Sequence, residues 1–239
     1  MTAPTLLFVH GALVRDGAWW WGPTADLLRE HTGVESRAVA LPSCAETDSG
    51  RGDLRDDAAA LRRALDEVAA SDSGSAILVG HSYGGTVIAE AGHHPAVRNL
   101  LLVSSYLPEV GATQGSIMSG EPDPVAIRPA DSGWIALDGY DAESFGARFL
   151  QDADEPTRRG GWERVTAQDV RAFGTPTTED GWSGVDSTAI VCVDDRSTTV
   201  GLQRTHAARA TRAVDLPTGH HPFTTRPDLV AEQVEAFLR

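Results

Sequence analysis

An α/β fold with a mostly parallel central sheet and helices on both faces is predicted by two features of this chain. Short apolar runs bounded by Gly, Pro or Ser recur along it, and amphipathic stretches with helical spacing lie between them. Its 239 residues are also within the range where one α/β domain buries a full core without splitting in two.

The strand candidates are residues 6–10, 35–41, 76–80, 100–104, 189–193 and 212–216. The clearest helix between them carries Leu54, Ala58, Leu61, Leu65 and Val68. Those spacings of three and four put one apolar face inward and leave charged residues on the other. From about residue 107 to 185 the pattern changes to scattered Gly and Pro, with Trp134, Trp162 and Trp182 and no sheet-like run. This stretch is read as an inserted cap, too aromatic for a disordered loop. Residues 1–106 and 186–239 then form the core, and the whole is one structural domain. The single cap segment with clear helical spacing begins near Asp141 and includes Phe145, Phe149 and Leu150. The chain ends on an amphipathic helix with Leu229, Val230, Val234 and Phe237.

Composition narrows the function classes. Apolar residues make up 41% and charged residues 23%, and no apolar run approaches the roughly 20 residues that span a bilayer. The segment Met1-Thr2-Ala3-Pro4-Thr5 has no positive charge and lacks the parts of a secretory signal, so a cytoplasmic protein is expected. A formal net charge of −14 argues against nucleic acid as a partner, because phosphate binding needs a basic surface. The expected partner is a small-molecule substrate, with no membrane; a homodimer is compatible with the sequence, which leaves oligomeric state open. Cys44 and Cys192 are too few and too far apart for a disulfide framework or a zinc site, and no metal or organic cofactor is expected. Cys192, inside an apolar run, reads as a buried free thiol. Every basic residue is Arg, which excludes Schiff-base chemistry.

The strongest chemical signal is Gly80-His81-Ser82-Tyr83-Gly84-Gly85, directly after the apolar run 76–79 and directly before the helix-compatible 86–90. This is G-x-S-x-G in strand-turn-helix context, where a strained turn leaves no room for side chains on the flanking glycines and exposes the serine. A nucleophilic Ser82 needs a base and an acid that orients it, following in the order acid, then His. The strand at 100–104 ends in Ser104-Ser105-Tyr106, without a carboxylate, whereas 189–193 ends in Asp194-Asp195. Asp195 is preferred because the acid normally lies in the loop beyond the strand; Asp194 is the alternative, otherwise a solvated strand-end carboxylate. Of the histidines that follow, His206 lies in a helix-like stretch and reads as exposed. His220 and His221 lie in the loop 217–223 between the last strand and final helix, and His220, directly after Gly219, is preferred as base. His221 is expected at the pocket wall. The backbone N–H groups of Tyr83 and Ala12 are the candidate oxyanion donors, with Gly11 allowing close approach and His10 holding that loop.

These residues resemble the α/β-hydrolase superfamily, close to plant methylesterases and hydroxynitrile lyases and their bacterial members, over nearly the whole chain. The resemblance rests on residues 8–12 with Gly17-Ala18-Trp19-Trp20-Trp21, on 80–85, on Ser105-Tyr106-Leu107-Pro108 with Gly111, on 191–196 and on 219–223. It implies an α/β-hydrolase fold with a helical cap over the serine, the acid at Asp195 and the base at His220. Hydroxynitrile lyases of this group carry a lysine just after the catalytic histidine; His221 stands there, and a protonated His221 would be the remaining substitute.

The reading favoured is a carboxylesterase-like serine hydrolase acting on a small ester or related acyl compound through an acyl-Ser82 intermediate. The alternatives are a lyase, decarboxylase or cyclisation enzyme using His220 for proton transfer, and a ligand-binding protein with little turnover. Trp134, Trp162, Trp182, Phe145 and Met118 are candidates for lining an apolar pocket or for cap core. Trp19, Trp20 and Trp21 carry the same ambiguity, since three consecutive indoles cannot face one way.

Overall fold

The structure, a computed structural model, describes residues 2–47 and 50–239. The first half of the chain alternates strand and helix: β1 (Thr5–Val9), α1 (Gly17–Thr32), β2 (Ser36–Ala38), α2 (Leu54–Ala69), β3 (Ala76–His81), α3 (Tyr83–Ala91) and β4 (Val97–Val103). A long excursion holds α4 (Gln114–Met118), β5 (Ile127–Pro129), β6 (Trp134–Leu137), α5 (Ala142–Phe149), α6 (Glu155–Trp162), β7 (Gln168–Asp169) and α7 (Arg171–Gly174). The chain then returns with β8 (Asp186–Cys192), α8 (Val200–Ala207), β9 (Arg212–Leu216), α9 (Pro222–Thr225) and α10 (Pro227–Leu238).

The main sheet has six strands in the order β2-β1-β3-β4-β8-β9, each pair parallel. Every residue of β3 is buried, which follows from helices on both faces and explains an unbroken apolar run in place of alternation. On one face Leu54, Leu61 and Leu65 of α2 pack with Val87 and Ile88 of α3; on the other, Trp20, Trp21 and Leu28 of α1 pack with Val230 and Val234 of α10. The helix α2 starts on a reciprocal cap, Asp53 accepting from the Asp56 N–H and the Asp56 carboxylate accepting from the Asp53 N–H. After β1 the chain moves to one side of the sheet, and after β3 to the other. The carboxyl ends of β1 and β3 therefore flank a switch in strand order, the place where open parallel sheets form a crevice.

All six expected strands are present. The strand expected at 35–41 is only three residues long, because β2 lies at the sheet edge and pairs on one side. The excursion departs from expectation: β5, β6 and β7 form a three-stranded antiparallel sheet where no strand was expected. With two to four residues each, these strands are too short to print a period-two pattern. The helix expected near Asp141 is α5, capped by the Asp141 side chain.

Two glycine substitutions test the packing of α3 on β1. A Cβ at Gly84 would fall on the Val9 carbonyl, whereas one at Gly22 within α1 meets nothing within 4 Å beyond its chain neighbours and its own helix backbone. Urea unfolding of Gly84→Ala should show a loss of at least roughly 2 kcal/mol, against a much smaller loss in Gly22→Ala, whose Cβ meets only the ring of the following Pro23.

Candidate active site

Ser82 joins β3 to α3 with φ 49° and ψ −119°, a backbone that non-glycine residues hold only when their surroundings enforce it. Steric closeness does so here. A Cβ at Gly80 would lie 2.7 Å from Ile88 Cδ1, so α3 starts against the strand that precedes it. The Ser105 hydroxyl donates to the Ser82 carbonyl at 2.7 Å, and the Ser82 N–H donates to the Val103 carbonyl at 3.3 Å.

Beyond β8, Asp195 has a fully buried side chain whose Oδ2 lies 2.7 Å from His220 Nδ1. The Ser104 hydroxyl donates to the same oxygen at 2.6 Å, and Oδ1 accepts from the Ser197 and Thr198 N–H groups at 2.7 and 3.0 Å. Burial would raise the Asp195 pKa, but the charge and hydrogen bond of His220, with Ser104 and the Thr198 N–H, hold it below the ordinary carboxylate value. An ionised carboxylate requires Nδ1 to carry the proton, leaving Nε2 of His220 as an acceptor. Asp194 instead lines a separate depression with Asp152 and Arg196, and its N–H donates to the Thr218 carbonyl. The carboxylate paired with the histidine is that of Asp195.

Ser82 and His220 line one cavity of about 470 Å³, together with Gly11 and Ala12. A Cβ at Gly11 would lie 2.9 Å from His81 Nδ1 and 3.3 Å from Ser82 Cβ, so only a bare Cα brings the loop after β1 against the serine. The Tyr83 N–H opens α3 and has no partner within the helix. No hydrogen bond from the Ala12 N–H occurs among the described residues. His10 does hold this loop, with Nδ1 2.8 Å from the Gly11 carbonyl and Nε2 2.7 Å from Glu46.

The cavity walls include Met118, Val125, Ile127, Leu137, Phe149 and Phe173, and among the described residues no Asp, Glu or Arg lines it. Of the side chains expected there, His221, Phe145 and Met118 are present. Trp134, expected at the substrate, is not among the lining residues, and Trp162 and Trp182, open between pocket wall and cap core, are not either. Trp134 lies under the Arg51 guanidinium, Trp162 packs on Phe145 from outside, and Trp182 donates to the Pro108 carbonyl. The three consecutive indoles also stay out of the cavity: Trp19 lies under Arg164, Trp20 stacks on His221 and Trp21 lies against Phe8 and Phe223.

His221 is buried and its Nδ1 lies 3.0 Å from the Phe149 carbonyl, to which it donates. Burial and the neighbouring His220 push its pKa down to about 3, so a protonated His221 is not a substitute cation. His81 is held well below its ordinary value by burial and by both neighbouring histidines. His206, expected to be exposed, is buried, with Nδ1 accepting from the Leu107 N–H at 3.1 Å. Helical spacing says nothing about a strand-end backbone reaching across to meet it. The end of α5 is tied to both functional loops: besides His221, Arg196 donates to the Ala147 carbonyl and Gln151 to the Asp194 carbonyl.

Ser104, Ser105, Tyr106 and Thr198 were not anticipated at the site. Ser104 has φ 42°, a second strained serine at a strand end. Its signal in the sequence is a polar pair closing an apolar strand, which could only be used once β4 was known to neighbour β8. Among the described residues, no group of three or more His, Cys, Asp or Glu is placed to hold a metal ion, and no helix is long and apolar enough to cross a membrane. Both cysteines are buried free thiols.

A parallel sheet with a strained serine between its third strand and the following helix, beside a carboxylate–imidazole pair from two later loops, defines an esterase-like α/β-hydrolase. The sequence profile of the alpha/beta hydrolase family matches residues 6–233, and the chain belongs to that family. It is 28% identical to a pyrethroid hydrolase of Sphingobium wenxiniae over 99% of this chain and 88% of that protein. It is 25% identical to an alpha/beta hydrolase of Aspergillus novofumigatus, over 98% and 96% of the two chains. The solved pyrethroid hydrolase of Sphingobium faniae superposes with a TM-score of 0.79 at 25% identity, covering 99% of this chain and 97% of that one. Polyneuridine aldehyde esterase shares the fold, with a TM-score of 0.79 at 15% identity and full coverage of both chains.

The neutral His221 has a measurable consequence. In the unfolded chain it takes a proton near the ordinary histidine value of 6.5, whereas the folded state resists protonation down to about 3. A depressed histidine pKa means that stability is lost as pH falls below 6.5, by about 2 kcal/mol between pH 7 and 5. Urea unfolding at both pH values should show this decline flattened in His221→Asn, whose amide can still donate to the Phe149 carbonyl.

Proposed function

We propose that the protein hydrolyses uncharged, predominantly apolar carboxylic esters through an acyl-Ser82 intermediate. The observation that carries this reading is the Asp195–His220 pair at 2.7 Å opening onto the same apolar cavity as the strained serine. His220 Nε2 takes the Ser82 proton as the hydroxyl attacks the ester carbonyl, then returns it to the departing alkoxide. Asp195 keeps the proton on Nδ1 and stabilises the imidazolium. The Ala12 and Tyr83 N–H groups receive the oxyanion of the tetrahedral intermediate. Water then attacks the acyl-enzyme with His220 again as base. A cavity lined by no charged side chain among the described residues disfavours charged esters, for which burial without a partner is costly. The ester-cleaving relatives support the reaction class. The lyase reading loses ground because it needs a cation for its leaving group, and His221 is uncharged.

A fluorophosphonate probe and p-nitrophenyl acetate test this on folded wild type, Ser82→Ala, Asp195→Asn and Asp194→Asn. Labelling and an acyl burst should vanish in Ser82→Ala. Turnover should fall by roughly 10³–10⁴ in Asp195→Asn and by less than about threefold in Asp194→Asn. Absence of labelling in folded wild type would remove the covalent mechanism.

A further inference from the structure

Beneath the Ala12–Leu13 loop and Tyr83 lies a polar chain that none of the steps above uses. The Leu13 N–H donates to Gln168 Oε1 at 2.9 Å, and Gln168 Nε2 donates to Ser43 Oγ at 2.9 Å. The Ser43 hydroxyl donates to Asp57 Oδ2 at 2.6 Å, its N–H donates to Oδ1 at 2.9 Å, and the Tyr83 hydroxyl donates to Oδ2 at 2.7 Å. All five residues are buried, and Ser43, Asp57, Tyr83 and Gln168 have no exposed surface.

The direction of this chain is fixed from one end. A backbone N–H can only donate, so Gln168 must turn its carbonyl to Leu13 and its amide to Ser43. Ser43 must then give its own proton to Asp57. With Tyr83 donating to the same carboxylate, every proton points at Asp57, and an ionised carboxylate is the one terminus that accepts them all. The two ends of the chain are Leu13, adjacent to Ala12, and Tyr83 itself, which are the two segments assigned above to the oxyanion pocket. Leu13 is moreover held at φ 60°, strained for a leucine.

We propose that Asp57 is a positioning residue that sets the spacing of the two oxyanion donors, by closing a buried hydrogen-bond chain between the Ala12–Leu13 loop and the Tyr83 side chain. This inference rests on the acyl-serine reading and deepens it. The site is unfavourable for folding: burial pushes the Asp57 carboxyl up to about 6, against the lowering effect of its bonds from Ser43 and Tyr83. The titratable groups facing it are His10, Tyr83 and Cys44. A raised carboxylate pKa subtracts stability at neutral pH, the opposite of what a group present only to hold the fold together would do.

The test compares wild type, Asp57→Asn and Tyr83→Phe by steady-state kinetics on p-nitrophenyl acetate, inhibition by an aryl boronic acid and thermal unfolding. The boronate adduct carries an oxygen into the oxyanion pocket, so its affinity reports donor placement independently of turnover. Asp57→Asn should lower kcat and boronate affinity together, by about 10-fold to 10²-fold, with KM changed less than roughly threefold. Its Tm should change little, because the amide relieves a buried charge but leaves one of the three donors unpaired. Tyr83→Phe, which keeps the backbone donor and loses only one bond, should show a smaller loss in the same direction, and decides the matter alone if Asp57→Asn does not fold. Retention of kcat and boronate affinity within about twofold in the folded variants overturns the proposal while the acyl-serine reading stands, provided wild type labels and bursts. If wild type does neither, both fall together.

Discussion

The left-handed backbone at Ser82 is the constraint around which the rest of the molecule is arranged. A serine at φ 49° is held there because α3 begins so close to β1 and β3 that Gly80 and Gly84 cannot carry side chains. That closeness needs a sheet buried on both faces, and hence the apolar runs of the central strands and the amphipathic helices that cover them. It also places the serine at the crevice where the connections after β1 and β3 part, so that loops after β1, β8 and β9 converge on it. The second strained serine, Ser104, closes β4 and touches the Asp195 carboxylate, so with Leu13 three of the described non-glycine residues with positive φ stand at the site. Strain concentrated there is compensated by ordinary packing elsewhere.

Electrostatically the site combines one ionised buried carboxylate with a group of histidines kept neutral around it. His81 and His221 are close to His220 in space, with ring centroids at 4.5 and 4.9 Å. Both are deprived of their charge by burial, so neither competes for the proton that His220 carries in the proposed mechanism. A second buried carboxylate, Asp57, sits on the far side of the Ser82 turn and meets hydroxyl and amide donors in place of an imidazole. The two acids differ by their partners: Asp195 meets an imidazole, Asp57 the hydroxyls of Ser43 and Tyr83 and the Ser43 N–H.

Legibility in the sequence followed chain length and periodicity. The central strands β1, β3, β4 and β8 were readable because each contains an unbroken apolar run, and the loops holding Ser82 and Asp195 because each follows such a run; β2 (Ser-Arg-Ala) and β9 (Arg-Ala-Val-Asp-Leu) carry polar residues and were readable from their place in the strand–helix alternation. β5, β6 and β7 were not, since two to four residues in an irregular segment carry no period. The burial of His206 was invisible because its partner, Leu107, is 99 residues away in the chain. Trp134 misled for a related reason: a large apolar side chain is as readily buried under an arginine as in a cavity wall. Asp57 left a faint signal, an acid three residues after Leu54 on the inward face of α2, and its meaning depends on Gln168 and Tyr83 arriving from distant segments.

The ties between α5 and the loops bearing Asp195 and His220 divide the cavity wall into two kinds of ground for evolution. Phe145 and Phe149 ride on a helix whose end bonds directly to His221, so changing their bulk to admit a new substrate also shifts the loop that carries His220, the proposed base. Val125, Ile127 and Leu137 stand on or beside the β5–β6 hairpin, which carries no such bond among the described residues. Substitutions in the hairpin wall therefore reach the candidate site only at second hand, through the pairing of β6 with Gln168 of β7 and through Glu121, which accepts from Thr199, whereas those in the α5 wall act on the loops of Asp195 and His220 directly.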